Sequence, residues 1–239
     1  MKRKSNRLFF VVLYCLAPTV LLVISFFLSD AVTAIAENTS LTPRRCIIID
    51  PGHGGEDGGA TSCAGVLESK YNLEIALRLN DVMQLIGLNT TMIRTTDKSI
   101  YTKGDTIAQK KVSDLKERVS IANNTDNAVL ISIHQNYFSD SKYSGAQVFY
   151  ASTDSSRDLA QMLQQDISSY LQKTNHRKIK KANGIYLMEH IRCTGVLIEC
   201  GFLSNAEEEA NLRQPDYQKA LCCVIAASVS NFLDRNDLS

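Results

Sequence analysis

The chain has 239 residues, of which 44% are hydrophobic and 21% charged, and its formal net charge is +1. Such a balance creates no overall field toward nucleic acid or acidic lipid, so nucleic acid is not expected as a partner. The short basic run His176, Arg177, Lys178, Lys180 and Lys181 reads as a solvated loop or a rim facing substrate. At the N-terminus, Lys2, Arg3, Lys4 and Arg7 precede an uncharged apolar run from Leu8 to Leu28. As a helix that run would span roughly 30 Å, enough to cross a bilayer. Basic residues ahead of it place that end in the cytoplasm and predict that the rest is exported. Ala34-Ile35-Ala36 follows as a small-residue cleavage site. Two readings stand: an anchor through Leu8–Leu28 that holds the domain on the outer membrane face, or a cleaved signal that releases it. Residues 1–36 are therefore read as a targeting segment and residues 37–45 as a linker. Residues 46–235 are read as one domain, a length that suits a single core.

Cys46-Ile47-Ile48-Ile49-Asp50 is an apolar run ending in a polar residue, the pattern of a strand covered on both faces. Pro51 to Gly59 is too rich in glycine for regular structure and must be a loop. Glu68 to Ile86 has helical spacing through Tyr71, Ile75, Leu79, Val82 and Met83, and Gly87 stops it. Thr90 to Ile93 reads as a strand, Lys98 to Lys110 as irregular, and Ser113 to Ala122 as a helix. Ala128 to Ile133 is a second buried strand with His134 at its C-terminal end. Gly145 to Tyr150 is a strand, Ser155 to Leu171 an amphipathic helix, and Val196 to Glu199 another strand. Ala206 to Leu212 and Pro215 to Leu233 close the chain as helices. Alternating strands and helices predict an α/β domain with a mostly parallel, mixed central sheet flanked by helices. The cysteines do not form a CxxC pair or a disulfide framework, and most read as buried thiols.

The chemistry concentrates at strand ends. His53 follows the first strand, His134 ends the third, and Glu199 ends a later one. Glu68 opens the helix after the glycine loop. In an open α/β sheet these C-terminal ends form the ligand crevice. Zinc with an open catalytic position takes three His, Asp or Glu ligands plus water, and His53, Glu68 and His134 supply that set. Glu199, near the metal but not bound to it, is the candidate acid/base. Each residue also has a plainer reading. Either histidine suits a structural hydrogen bond, Glu68 complements a helix dipole, and Glu199 is a polar strand terminus. Asn136 is read as a substrate contact, and Arg94 and Arg118 as braces between loops. Glu56 and Asp57 reach either the cleft or only their own turn. No P-loop lysine and no Gly-x-Ser-x-Gly elbow is present.

Four blocks carry a family resemblance. They are Ile48-Ile49-Asp50-Pro51-Gly52-His53-Gly54-Gly55 with Gly58-Gly59-Ala60; Glu68 leading to Asn72-Leu73 and Ala76; Ser132-Ile133-His134-Gln135-Asn136; and Val196 through Asn205. Together they resemble the zinc-dependent N-acetylmuramoyl-L-alanine amidases, over roughly residues 46 to 235. The resemblance implies hydrolysis of the amide between N-acetylmuramic acid and the L-alanine of the peptidoglycan stem peptide. It implies Zn2+ on His53, Glu68 and His134, with Glu199 catalytic. Gln135 stands where the family usually has a small residue, a change expected to reshape the cleft, and Cys200 stands where Thr or Val is frequent. Within the family, the build and the stretch from Asn175 to Met188 are most like the spore-cortex type. That likeness implies a role in muramic lactam formation, with a polysaccharide deacetylase in the same pathway, and a place in the cell wall or between the forespore membranes. Two rivals stand beside the amidase: a zinc peptidase or deacetylase acting on another amide, and a non-catalytic wall-binding protein.

Overall fold

Strand β1 (Cys46–Pro51) is buried along its whole length, which explains its unbroken apolar sequence. In this computed structural model residues 45–237 are described. The segment read as anchor or signal, and all of the linker but Arg45, lie outside the described residues. Among the described residues, no helix is long and apolar enough to cross a membrane.

Helix α1 (Glu68–Leu85) follows β1 and the glycine loop, and then come β2 (Asn89–Met92), α2 (Ile107–Asn123) and β3 (Ala128–Asn136). After β4 (Gln147–Tyr150), α3 (Ser156–Asp166) runs into a π-helical turn (Ile167–Leu171). The short β5 (Lys180–Lys181) and α4 (Tyr186–His190) precede β6 (Thr194–Phe202), and α5 (Ala206–Leu212) and α6 (Pro215–Asp237) finish the chain. The six strands form one sheet in the order β2-β1-β3-β6-β4-β5. Strands β2, β1, β3 and β6 are parallel, whereas β4 runs antiparallel to β6. The sheet is thus mixed, as expected, with the parallel part holding the strand ends of interest.

Side chains alternate between two cores. Ile47, Ile49, Val129, Ile131, Ile133, Val196 and Ile198 pack on one face with Tyr71, Ile75 and Leu79 of α1, Leu159 and Leu163 of α3, and Leu221, Ile225 and Val229 of α6. Ile48, Leu130 and Leu197 point to the other face, where Ala122 of α2 and Leu187 and Met188 of α4 cover them. Both faces being dry, the central strands carry no polar alternation. Cys46, Cys200 and Cys222 are buried, Cys63 and Cys223 are exposed, and the six described cysteines are all unbonded.

Some boundaries depart from the periodicity. Helix α2 begins at Ile107, inside the stretch read as irregular. Thr106 caps it: its hydroxyl accepts from the Gln109 N–H at 3.3 Å, while the Gln109 side chain accepts from the Thr106 N–H at 3.2 Å. This reciprocal cap outweighs the polar composition of the first turns. The predicted helix from Ser155 to Leu171 is α-helical only to Asp166 and then widens. Strand β5 and helix α4 carry too few residues for a periodic signal.

Two buried guanidinium groups tie the loop after β1 to the sheet. Arg94 is 2% exposed and donates to the carbonyls of Pro51 (2.9 Å), Gly52 (2.9 Å), Thr96 (3.0 Å) and Ser69 (3.1 Å). Arg118 pairs with Asp50 and with Asp114 (2.7 Å), and donates to the carbonyls of Pro51 (3.0 Å) and His53 (2.8 Å). Asp50 also accepts from the Ser132 hydroxyl at 2.6 Å. Burial works against the Asp50 charge, but Arg118, the Ser132 hydroxyl and His134 together hold the carboxyl below its ordinary range. The bracing role expected for both arginines is what the structure shows. Arg118→Met leaves Asp50 as an uncompensated buried charge and is expected to cost about 3–5 kcal/mol, read from the urea midpoint. The double variant Arg118→Met/Asp50→Asn should recover part of that loss, because it removes the stranded charge.

Candidate metal centre and active site

His53 sits where β1 turns into the glycine loop, with a φ of 60° that a non-glycine residue rarely adopts. Arg118 holds its carbonyl, and this anchoring sustains the strained backbone. Glu68, first residue of α1, is 4% exposed. Its N–H donates to the Ala60 carbonyl at 2.8 Å, so the loop folds back over the helix start. His134 leaves β3 beside β1 and points at the same carboxylate.

Three side chains therefore converge. His53 Nε2 lies 3.3 Å from Glu68 Oε2, and His134 Nδ1 lies 3.0 Å from Glu68 Oε1. The two imidazoles are 4.9 Å apart, edge to face. One ligand atom from each residue falls within 4.8 Å of the others. Further donors fix the carboxylate: the Ala60 N–H at 3.0 Å on Oε2, and Asn72 Nδ2 and the Gln135 N–H, each at 3.2 Å, on Oε1. Burial opposes the Glu68 charge, yet the hydrogen bonds of His134 and His53 hold its carboxyl far below the usual range.

Asp57 orients His53 from behind. Its Oδ2 lies 2.9 Å from His53 Nδ1 and 3.1 Å from Lys111 Nζ on α2. Burial disfavours a charged imidazole, but the bonds to Asp57 and Glu68 prevail and hold His53 at about 9. With Nδ1 engaged, Nε2 is the nitrogen left to face the cluster, the arrangement that carboxylate–histidine pairs give to metal ligands. Of the two readings open for Asp57, the structure favours the cleft. A cleft of about 100 Å³ beside the cluster is lined by His53, His134, Asp57, Lys111, Tyr186 and Leu187, among others.

Glu199 is the register neighbour of His134 on β6. Between this pair and the next, Asn136 with Phe202, β6 carries one extra residue, a bulge next to the site. Glu199 Oε2 is shielded from solvent and lacks a hydrogen-bond partner. Burial raises its carboxyl to about 7, against the lowering pull of His134. The two imidazoles, the buried carboxylate and the orphaned oxygen beside them fit a divalent ion that keeps one position open.

Sequence reasoning thus named four residues that the fold brings together. Asn136 lies past the bulge, half-buried, with its carbonyl accepting from the Leu203 N–H at 2.8 Å. Gln135 does not reshape the cleft as expected. It is 3% exposed and turns to the α1 side, where Nε2 donates to Asn72 Oδ1 at 3.3 Å. Strand alternation would have told the two neighbours apart, since His134 faces the site and Gln135 must face away. Asn72 and Gly52 were given no role of their own. Asn72 lies four residues after Glu68 on one helix face, a readable spacing. For Gly52 the sequence carries no signal, because the neighbour it admits is distant in the chain.

A His–Glu–His group that could hold a metal ion stands at the C-terminal edge of the parallel strands, with a second carboxylate alongside, in a domain of α/β build. The chain belongs to the N-acetylmuramoyl-L-alanine amidase family, Amidase_3, whose sequence model matches residues 47–231. It is an N-acetylmuramoyl-L-alanine amidase. The germination-specific N-acetylmuramoyl-L-alanine amidase of Bacillus subtilis is 36% identical over 196 residues, covering 81% of this chain and 82% of that one. The CwlD amidase of Clostridioides difficile, solved in complex with the GerS lipoprotein, superposes with a TM-score of 0.77 at 35% identity. That match covers 80% of this chain and 99% of the other. An N-acetylmuramoyl-L-alanine amidase of Clostridium difficile 630 gives 0.71 at 33% identity, over 81% and 98%.

Gly52 generates a sharp expectation. A Cβ there would stand 2.1 Å from His134 Nε2, so Gly52→Ala must push the ring off Glu68. The variant should fold but bind Zn2+ at least about tenfold more weakly, the scale of a lost orienting contact. Titration against a chromogenic chelator measures this, and wild-type affinity in Gly52→Ala would show that the ring tolerates displacement.

Proposed function

We propose that His53, Glu68 and His134 hold a zinc ion and that Glu199 moves the protons in cleavage of the muramoyl–L-alanine amide of peptidoglycan. The observation that carries this reading is the unpartnered oxygen of Glu199, sealed from solvent beside two imidazoles and a fully engaged carboxylate. A zinc ion held by His53, Glu68 and His134 would polarise the amide carbonyl and acidify water. Glu199 takes a proton from the attacking water at its free oxygen. It then returns that proton to the alanine nitrogen as the C–N bond breaks. A carboxyl held near 7 suits both transfers at neutral pH. Asp57 keeps His53 in one tautomer and orientation. Arg94 and Arg118 keep the loop carbonyls fixed, so the site does not need to reorganise during the reaction. Asn136 contacts substrate at the rim.

The likeness to a germination-specific amidase and to CwlD supports spore-cortex peptidoglycan as the substrate layer. In that role the enzyme removes stem peptides, and a polysaccharide deacetylase acts on the exposed muramic acid to complete a lactam. The N-terminal apolar run supports export, with the domain on the outer membrane face or secreted to the cell wall, between the forespore membranes during sporulation.

Two measurements test the reading. Sacculi digested with zinc-loaded enzyme should release L-alanine amino termini without new reducing sugars. A chelator should abolish this release, and added Zn2+ should restore it. Glu199→Gln should retain zinc and lose about 100-fold or more in kcat; an undiminished rate would remove Glu199 from the chemistry.

A further inference from the structure

The loop between β3 and β4 exposes three aromatic rings: Tyr137 at 52%, Phe138 at 50% and Tyr143 at 39%. Among the described residues only one other aromatic, Tyr170, is exposed to that degree. The remaining exposed apolar side chains do not form such a cluster of rings. The loop is held in place. The Phe138 N–H donates to Ser204 Oγ at 3.2 Å, and Asn205 Nδ2 donates to the Ser141 carbonyl at 2.9 Å. Tyr143 stacks on the buried Phe202 (6.4 Å, 27°), and Phe138 meets Tyr143 edge to face (4.8 Å, 81°). Arg177 lies over Phe202 at 4.5 Å, and Lys142 over Tyr143 at 5.5 Å. A pinned loop that still leaves its rings in water is displaying them, since clustered exposed apolar surface marks a binding face.

The position of the rings narrows the occupant. Tyr137 is three residues past His134, so its Cα lies within about 10 Å of the His134 Cα. Phe202 is three residues past Glu199 on the adjacent strand. The patch therefore follows β3 and β6 off the same sheet edge that carries His134 and Glu199. Whatever carries the scissile amide must pass close to it. The amide hangs from the lactyl arm of a sugar, and the neighbouring sugars of the same strand follow. A pyranose has an apolar C–H face and a hydroxyl rim, matching aromatic faces fringed by Lys142, Asp140 and Ser141. A stem peptide has no ring and offers no such flat face.

We propose that Tyr137, Phe138 and Tyr143 form a glycan subsite on which sugar rings of the peptidoglycan strand stack during catalysis. This rests on the muramoyl-amidase reading above. It adds a preference for substrate within a polymer over an isolated muramoyl peptide.

The test separates the two ideas. Wild type and Tyr137→Ser/Phe138→Leu, each zinc-loaded, are titrated calorimetrically with wall glycan chains stripped of stem peptides. They are then assayed on uncrosslinked long-chain peptidoglycan and on a single-sugar muramoyl peptide. Leucine keeps apolar character at position 138 but removes the ring face. Losing two stacking contacts should weaken glycan binding about tenfold. The ratio of kcat/KM for long-chain over single-sugar substrate should fall by the same factor, through KM. Unchanged glycan affinity, or an unchanged ratio, overturns the subsite and leaves the rings to a protein partner. Ring-dependent glycan binding by a wild type that cleaves neither substrate would support the subsite and refute the amidase reading instead.

Discussion

Glu68 is the constraint around which the rest is arranged. A carboxylate that is 4% exposed is tolerated only when its charge is met on several sides. The partners come from three parts of the chain. The glycine loop gives the Ala60 N–H and His53, helix α1 gives Asn72, and β3 gives His134 and the Gln135 N–H. Remove the charge, and three elements lose their shared reason to meet. This explains the glycine at position 59, whose φ is 69°: a Cβ there would lie 2.6 Å from Glu68 Oε2. The carboxylate can be wrapped closely only if that backbone carries no side chain.

Rigidity at this centre is built outward from Glu68. Asn72 donates both to Glu68 and to the Gly52 carbonyl, and Arg94 donates to that same carbonyl. Arg118 then takes the carbonyls of Pro51 and His53 while pairing with Asp50 inside the sheet. Loops usually carry mobile backbone. Here the segment bearing the first imidazole has its carbonyls satisfied by buried guanidinium groups, so its position follows the sheet. Such a loop holds the His53 imidazole in a fixed orientation, the kind of preorganisation a functional site needs.

Much of this was legible in the sequence, for reasons that also mark where reading stops. Ile47 to Ile49 and Val129 to Ile133 announced strands covered on both faces, and the polar residues ending those runs announced the catalytic edge. His53, Glu68, His134 and Glu199 each stand at an element boundary, where composition changes sharply. Asp57 was visible as a residue, but its partner Lys111 lies 54 positions away, so the choice between turn and cleft had no local answer. Strand β4 reads like any other short strand, and its antiparallel direction depends on which neighbour it meets. The extra residue of β6 after Glu199 is invisible for the same reason, since a bulge exists only relative to a partner strand. Helix α2 was readable further than its apolar spacing suggests, because Thr106 and Gln109 form a local cap.

Glu199 stands directly before that bulge. A buried carboxylate ordinarily gathers donors, as Glu68 does, and each donor lowers its affinity for a proton. Glu199 sits on β6 at the register of His134, yet its Oε2 has gathered none. On β6 the next residue, Cys200, is fully buried and apolar in behaviour, and the extra residue shifts the ladder before Phe202 pairs with Asn136. The two glutamates are driven in opposite directions by their surroundings: hydrogen bonds from two imidazoles hold Glu68 as an anion, and burial raises Glu199 to about 7. Opposed environments of this kind let one site keep one carboxyl charged and another able to take up a proton at the same pH.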